Sequence, residues 1–332
     1  MLAEGAVERS TVVTSAGPVP AAELGLVLPH EHLLINTIRE NRRTGLLHDL
    51  TTMTAEVQAF VAAGGTTIVE LTAAEIAQGA APEPLAAAGE ATGTRPVANV
   101  LALAEIARRT GVRLVLGTGH YRDPYLDRDW FDRHSVDAIA ELLVRDLTAG
   151  FPGTDVRAGI IGEIGSEQWY ISAAEERSFR AAARAHLQTG ATITTHAARW
   201  PVGLDQLRIL TDEGVDPGRV IIGHCDMVPL PDYHLRIAER GAYVQFDTFH
   251  ACTDEPAVRA RVEAILALVR AGHLDRILVS HDLFLTDQLA ATGGVGLSYI
   301  PARLPAVLAA AGLGEDQVHQ LLVTNPQRAL AG

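Results

Sequence analysis

Lysine is missing from this chain: all 27 of its basic side chains are arginine. That excludes every chemistry built on a primary amine, whether a Schiff base, an ammonium gripping phosphate, or a carbamylated lysine bridging two metals. With alanine abundant, the use of arginine alone reads most simply as genomic base composition. Cysteine is scarce too. Cys225 and Cys252 do not make a disulfide framework, and a reducing compartment is the expectation. No apolar run reaches the roughly 18 residues that a membrane span needs. The opening MLAEGAVERS has no basic stretch followed by an apolar one, so no secretory signal is expected and the reading is cytoplasmic. Positive charge is in deficit, 27 basic against 40 acidic residues for a net −13. Nucleic acid and anionic membrane are held mainly by clustered cations, so neither is an expected partner; a small molecule is.

What is present is a regular alternation of elements. Short apolar or β-branched runs lie at Leu26–Leu34, Thr66–Thr72, Val112–Gly117, Arg157–Ile164, Ala191–Thr195, Val220–Gly223, Ala242–Phe246 and Arg276–Ser280. Between them are stretches with helical spacing, among them Val97–Arg109, Ala173–Gln188 and Val258–Arg270, several followed by glycine. Repeated strand-then-helix units imply parallel strands, because a crossover helix is what joins parallel neighbours. The fold class is therefore α/β, a single (β/α)8 TIM barrel spanning 1–332, with VVTSAGPV at Val12–Val19 as a small N-terminal β-hairpin cap.

In such a barrel, chemistry sits at the C-terminal ends of the strands. Strand one ends in Pro29-His30-Glu31-His32. Alternation puts both imidazoles on one face and turns Glu31 away. Strand five ends in Thr195-His196, strand six in Gly223-His224 and strand eight in Ser280-His281-Asp282. Each is unremarkable alone, but four strand ends bearing metal-binding side chains make a metal site. Strand four ends in IIGEIG, an apolar run around Glu163. A buried carboxylate needs compensating charge, which metal ions at the barrel mouth supply.

The ordered words GLVLPHEHLL, AGIIGEIG, TTHAA, IIGHCD and ILVSHD, with the tail GGVGLSYI…NPQRAL, resemble the phosphotriesterase family of the amidohydrolase superfamily from Val12 to Leu330. Within it, the chain resembles the phosphotriesterase-related and phosphotriesterase homology branch, where a glutamate replaces the bridging carbamylated lysine. The resemblance implies two divalent ions per chain, zinc by donor type, with manganese, cobalt or iron as alternatives. His30, His32 and Asp282 would hold the more buried ion, His196 and His224 the outer one, and Glu163 both, with Glu167 a distant substitute for the bridge. It further implies that a hydroxide shared by the ions attacks the carbonyl of a small ester, lactone or amide, with Asp282 as the catalytic proton acceptor and phosphotriesters as a side activity. It also implies a homodimer, although no stretch marks an interface. A metal-dependent nuclease resembling TatD-like enzymes is the alternative, and a non-catalytic barrel a more remote one.

The resemblance is incomplete at the expected proton relay, whose positions are taken by Met227 and Thr248, with Asp226 and His250 nearby. Asp226 reads equally as an orienting partner of His224 and as a loop cap. Loops after the strands offer Tyr121, Trp169, Tyr170, Trp200, Phe249 and Phe284 for an apolar pocket, and Arg122 or Arg199 for an anionic group. Cys225 faces away from the ligands by alternation and reads as a buried inert thiol.

Overall fold

A computed structural model describes residues 11–82 and 93–331. The hairpin is present, β1 (Thr11–Thr14) against β2 (Gly17–Pro20). All eight expected strands follow as one parallel sheet in chain order: β3 (Val27–Glu31), β6 (Thr67–Glu70), β7 (Arg113–Thr118), β8 (Ile160–Gly165), β9 (Ile193–His196), β10 (Val220–Gly223), β11 (Tyr243–Phe246) and β12 (Ile277–Val279). A short antiparallel pair that the sequence did not announce, β4 (Ile35–Asn36) and β5 (Leu46–Leu47), folds over the mouth after β3. The helices Val97–Thr110 and Ala173–Thr189 match expectation to within a residue. The helix Glu255–Arg270 begins three residues earlier than its apolar pattern, because the Asp254 side chain accepts the Ala257 N–H and Pro256 suits the first turn. The architecture is a nearly closed (β/α)8 TIM barrel.

The interior is largely apolar at the bottom. Val27, Val69, Val115, Ile160, Ile221, Tyr243 and Leu278 point into the barrel and pack with Val12 of the hairpin and Ala329 and Leu330 of the C-terminal helix. The hairpin is tied on by the Ser15 N–H donating to Leu114 O at 2.7 Å. The candidate ligands lie at the opposite end of the strands.

Two strands break the alternation, and both carry candidate ligands. Between Leu28 and Glu31, β3 spends three steps where β6 spends two. Between Ile161 and Ile164, β8 does the same against β9. Such an extra residue flips the facing of everything after it. With Val27 and Ile160 inward, unbroken alternation would turn Pro29, Glu31 and Gly162 inward. The bulges bring in His30, His32 and Glu163 instead. Gly162 makes the second bulge possible: its φ is +129°, and a Cβ there would lie 2.3 Å from Thr194 O.

The sheet closes between β12 and β3 by a side chain. Glu31, turned outward as expected and fully buried, accepts from Ser280 Oγ (2.8 Å), His281 N–H (2.8 Å), His281 Nδ1 (2.9 Å) and Leu283 N–H (3.1 Å). The His30 N–H donates to Ser280 Oγ at 3.0 Å and the Asp282 N–H to His30 O at 3.2 Å. One carboxylate thus stands in for ladder bonds at the seam. Each orphaned buried donor costs ~1–3 kcal/mol, so Glu31→Ala should lose at least about 3 kcal/mol in urea unfolding. A loss under ~1 kcal/mol would contradict this account of the seam.

Candidate metal centre

Six predicted residues from five strand ends converge at the mouth, all buried or nearly so. Glu163 Oε1 lies 3.3 Å from His32 Nε2. Its Oε2 lies 3.0 Å from His196 Nδ1, 3.3 Å from His224 Nε2 and 3.4 Å from His30 Nε2. Asp282 Oδ1 is 3.3 Å from His32 Nε2 and 3.6 Å from His30 Nε2. Two overlapping groups could each hold a cation, His30–His32–Asp282 and His30–Glu163–His224. His30 Nε2 is buried without a hydrogen-bond partner, as a nitrogen awaiting a cation would be. The donors, imidazole and carboxylate, suit zinc and other borderline ions. The residues fit.

Two of these residues adopt the left-handed backbone region, His224 at φ +56° and Asp282 at φ +52°. That costs roughly 1–3 kcal/mol for a residue with a side chain. Fixed acceptors compensate: the His224 N–H reaches both oxygens of Asp247 at 3.0 and 3.1 Å, and the Asp282 N–H reaches His30 O.

The ring orientations are set from behind. The Thr72 hydroxyl spends its proton on Glu70 Oε1 at 2.5 Å, so at 3.0 Å from His32 Nδ1 it accepts. His32 therefore keeps a proton on Nδ1, and Nε2 is the nitrogen it offers the site once a cation takes the place of the second proton. Glu70 is in turn paired with the buried Arg95 at 2.5 Å. His224 Nδ1 lies 2.8 Å from Asp247 Oδ1, and His30 Nδ1 lies 3.0 Å from Asp247 Oδ2, the latter off the ideal hydrogen-bond axis. His196 is reversed and presents Nδ1.

Asp247, the partner of His224, was not read from the sequence. A signal existed: Tyr243, Gln245 and Asp247 alternate inward, but the apolar run stops at Phe246. Asp226 does not orient His224. Its carboxylate accepts from Thr248 N–H (3.0 Å), Thr248 Oγ1 (2.6 Å) and Arg261 Nε (2.9 Å), bracing the loop after β11.

A cavity of about 620 Å³ opens above the cluster. Of the aromatic lining expected, Tyr121 and Phe284 are in place. Trp169, Tyr170 and Trp200 lie outside the lining, on exposed loop surface. Phe249 is wholly buried beneath Arg261, since its loop turns it into the core. The walls are more polar than the sequence suggested: Arg122, paired with both Glu40 and Glu167, and His250, whose Nδ1 contacts His281 O at 2.6 Å. Glu167 is thus engaged away from the cluster. Arg199 also lines the mouth. Cys225 is buried with its thiol on Ile222 O at 3.2 Å, and burial pushes its pKa well up.

Burial alone would make these imidazoles hard to protonate. For His30 it is outweighed by Asp247 and Glu163, which raise its pKa to about 10. For His32 it is outweighed by Asp282 and Glu163, which raise it to about 9. His196 goes the other way, to about 4, through burial and the neighbouring His224. Glu163 is held well below the usual carboxylate range despite burial, by His196 and His30. For His224, too, burial is outweighed, chiefly by Asp247, and its pKa stands well above the usual imidazole value. At pH 7 the metal-free protein therefore keeps protons on His30, His32 and His224, and a cation must expel them. Calorimetric zinc titration in buffers of differing ionisation heat should show about three protons released near pH 7, one from each of these imidazoles. Release should fade, and affinity rise, as pH climbs through 9 to 10. Buffer-independent heats would refute this.

A sequence model of the Phosphotriesterase family matches residues 10–99 and 85–330. The chain is 36% identical over 230 residues to a phosphotriesterase homology protein of Escherichia coli, covering 69% of this chain and 78% of that one. It is 28% identical over 358 residues to an N-acetyltaurine hydrolase of Tetraodon nigroviridis, covering 95% and 96% respectively. The crystal structure of a lactonase from Listeria monocytogenes is similar with a TM-score of 0.83 at 28% identity, covering 97% of this chain and 99% of that one. Among the described residues, no helix is long and apolar enough to cross a membrane. With the strand-end words in barrel order and the family model spanning nearly the whole sequence, the chain belongs to the phosphotriesterase family, whose relatives here include an N-acetyltaurine hydrolase and a lactonase.

Proposed function

We propose that this protein is a binuclear metal-dependent hydrolase of a small ester, lactone or amide. The observation that carries the reading is Glu163: one buried carboxylate whose two oxygens face different histidines, Oε1 toward His32 and Oε2 toward His196 and His224. His30, His32 and Asp282 would hold one ion, His196 and His224 the other, and Glu163 both. When bound, divalent ions there supply Lewis-acid polarisation of a substrate oxygen and acidify water so that hydroxide is available near neutral pH. Zinc suits the donors best.

The chain's own groups do the rest. Asp282, the more exposed of the cluster's two carboxylates with 8% of its surface accessible and part of the cavity lining, accepts the proton of the attacking water and returns it to the leaving group. Tyr121 aims its hydroxyl at the same corner, 3.2 Å from His196 Nδ1. Burial, with Glu163 close by, raises its pKa well above the ordinary phenol value, so it stays protonated and donates to the substrate oxygen. The preference for carbonyl substrates draws support from relatives named for a lactone and for N-acetyltaurine. A nuclease is disfavoured because the chain carries a net charge of −13, which repels a polyanion.

Metal-loaded protein assayed on lactones, N-acyl amino compounds, aryl esters and phosphotriesters should turn over a carbonyl compound best; no turnover on any of them would sink the reading. Glu163→Ala should lose bound metal and at least ~10²-fold in kcat/KM. Intact occupancy and turnover in that variant would remove the bridge. Tyr121→Phe should keep its metal and lose ~10-fold in kcat, the worth of one hydrogen bond.

A further inference from the structure

Asp247 sits below the cluster, not in it. It follows β11, is fully buried, and lies within hydrogen-bonding distance of groups from three strands. Oδ1 meets His224 Nδ1 at 2.8 Å; Oδ2 lies 3.0 Å from His30 Nδ1 and accepts from Gln245 Nε2 at 2.9 Å. The His224 main-chain N–H donates to both oxygens. Space for the carboxylate comes from Gly223, where a Cβ would stand 3.2 Å from Asp247 Oδ2 and 2.4 Å from Thr195 O.

His30 and His224 belong to different halves of the site proposed above. We propose that Asp247 is a positioning residue shared by both halves: one carboxylate fixes the tautomer of a histidine from each, so the two metal affinities rise and fall together. The chemistry is simple. A carboxylate only accepts, so each facing Nδ1 carries a hydrogen and each Nε2 is the nitrogen left for a cation to take. The imidazoles cannot turn independently, because both answer to one buried anion whose own orientation is held by Gln245 and the His224 main chain. His32 is different. Its Nδ1 is governed by the separate Thr72–Glu70–Arg95 chain, which touches nothing in the other half. The inference rests on the binuclear reading and adds a coupling to it.

The test is a zinc titration of metal-free protein against a chromophoric chelator, run beside a cobalt titration followed by its visible absorption. Wild type should take up two ions. In Asp247→Asn, where an amide N–H must now face one of the histidines, both binding events should weaken by about 10–100-fold, and the cobalt bands of both should change. Thr72→Val should weaken one event and leave the other within about threefold. Should Asp247→Asn fail to fold, as judged by circular dichroism and melting of the metal-free form, Gln245→Met decides. It keeps the volume but frees Asp247 Oδ2, and a smaller loss of similar factor at both events is expected. A loss confined to one event in the Asp247 or Gln245 variant overturns the coupling while leaving two ions in the wild type. A wild-type capacity of one ion overturns the binuclear reading and the coupling together.

Discussion

Everything at the mouth of this barrel is organised around a carboxylate that is too short for its place. Without lysine, no long carbamylated arm can reach the centre from strand four, and Glu163 must do so with two methylenes. The backbone therefore comes to the site. An extra residue in β8, a glycine at φ +129° pressed against Thr194 O, and the resulting flip of facing turn the glutamate inward. In isolation a buried anion of this kind would be intolerable. Four imidazoles within 3.4 Å of its oxygens make it tolerable, and the same imidazoles are the donors a cation needs.

The second constraint is orientation. Three of the histidines present Nε2, and each has an acceptor behind it: Thr72 for His32, Asp247 for His224 and, at 3.0 Å but off the ideal axis, Asp247 again for His30. These acceptors sit on strands other than those of the rings they hold, so the closed barrel itself is the jig. The seam obeys the same logic. Glu31 is adjacent in sequence to two candidate ligands, yet it points outward and locks β3 to the segment bearing Asp282. One strand end thus serves chemistry with alternate residues and closure with the one between.

Much of this was legible beforehand. The eight strand runs and the hairpin follow from periodicity, and the six converging side chains from donor types at strand ends together with the family resemblance. What escaped has particular causes. Asp247 lies one residue past the apolar run that defined its strand, so its inward facing went uncounted. Asp226 looked like a partner for His224 by proximity along the chain, but Thr248 and Arg261 claim it. The exposed aromatics Trp169, Tyr170 and Trp200 were credited to the pocket because loops after strands usually line it, and loop direction has no period to read.

The sequence by itself determined the alternation of strands and helices, the donor chemistry at each strand end, and the impossibility of a lysine bridge, since these depend on residue type and local spacing. Only the tertiary structure decided which face each donor takes after a bulge, which buried acceptor fixes which ring nitrogen, and which loop side chains border the cavity. Those depend on register between strands and on groups far apart along the chain, and neither is encoded in any local stretch.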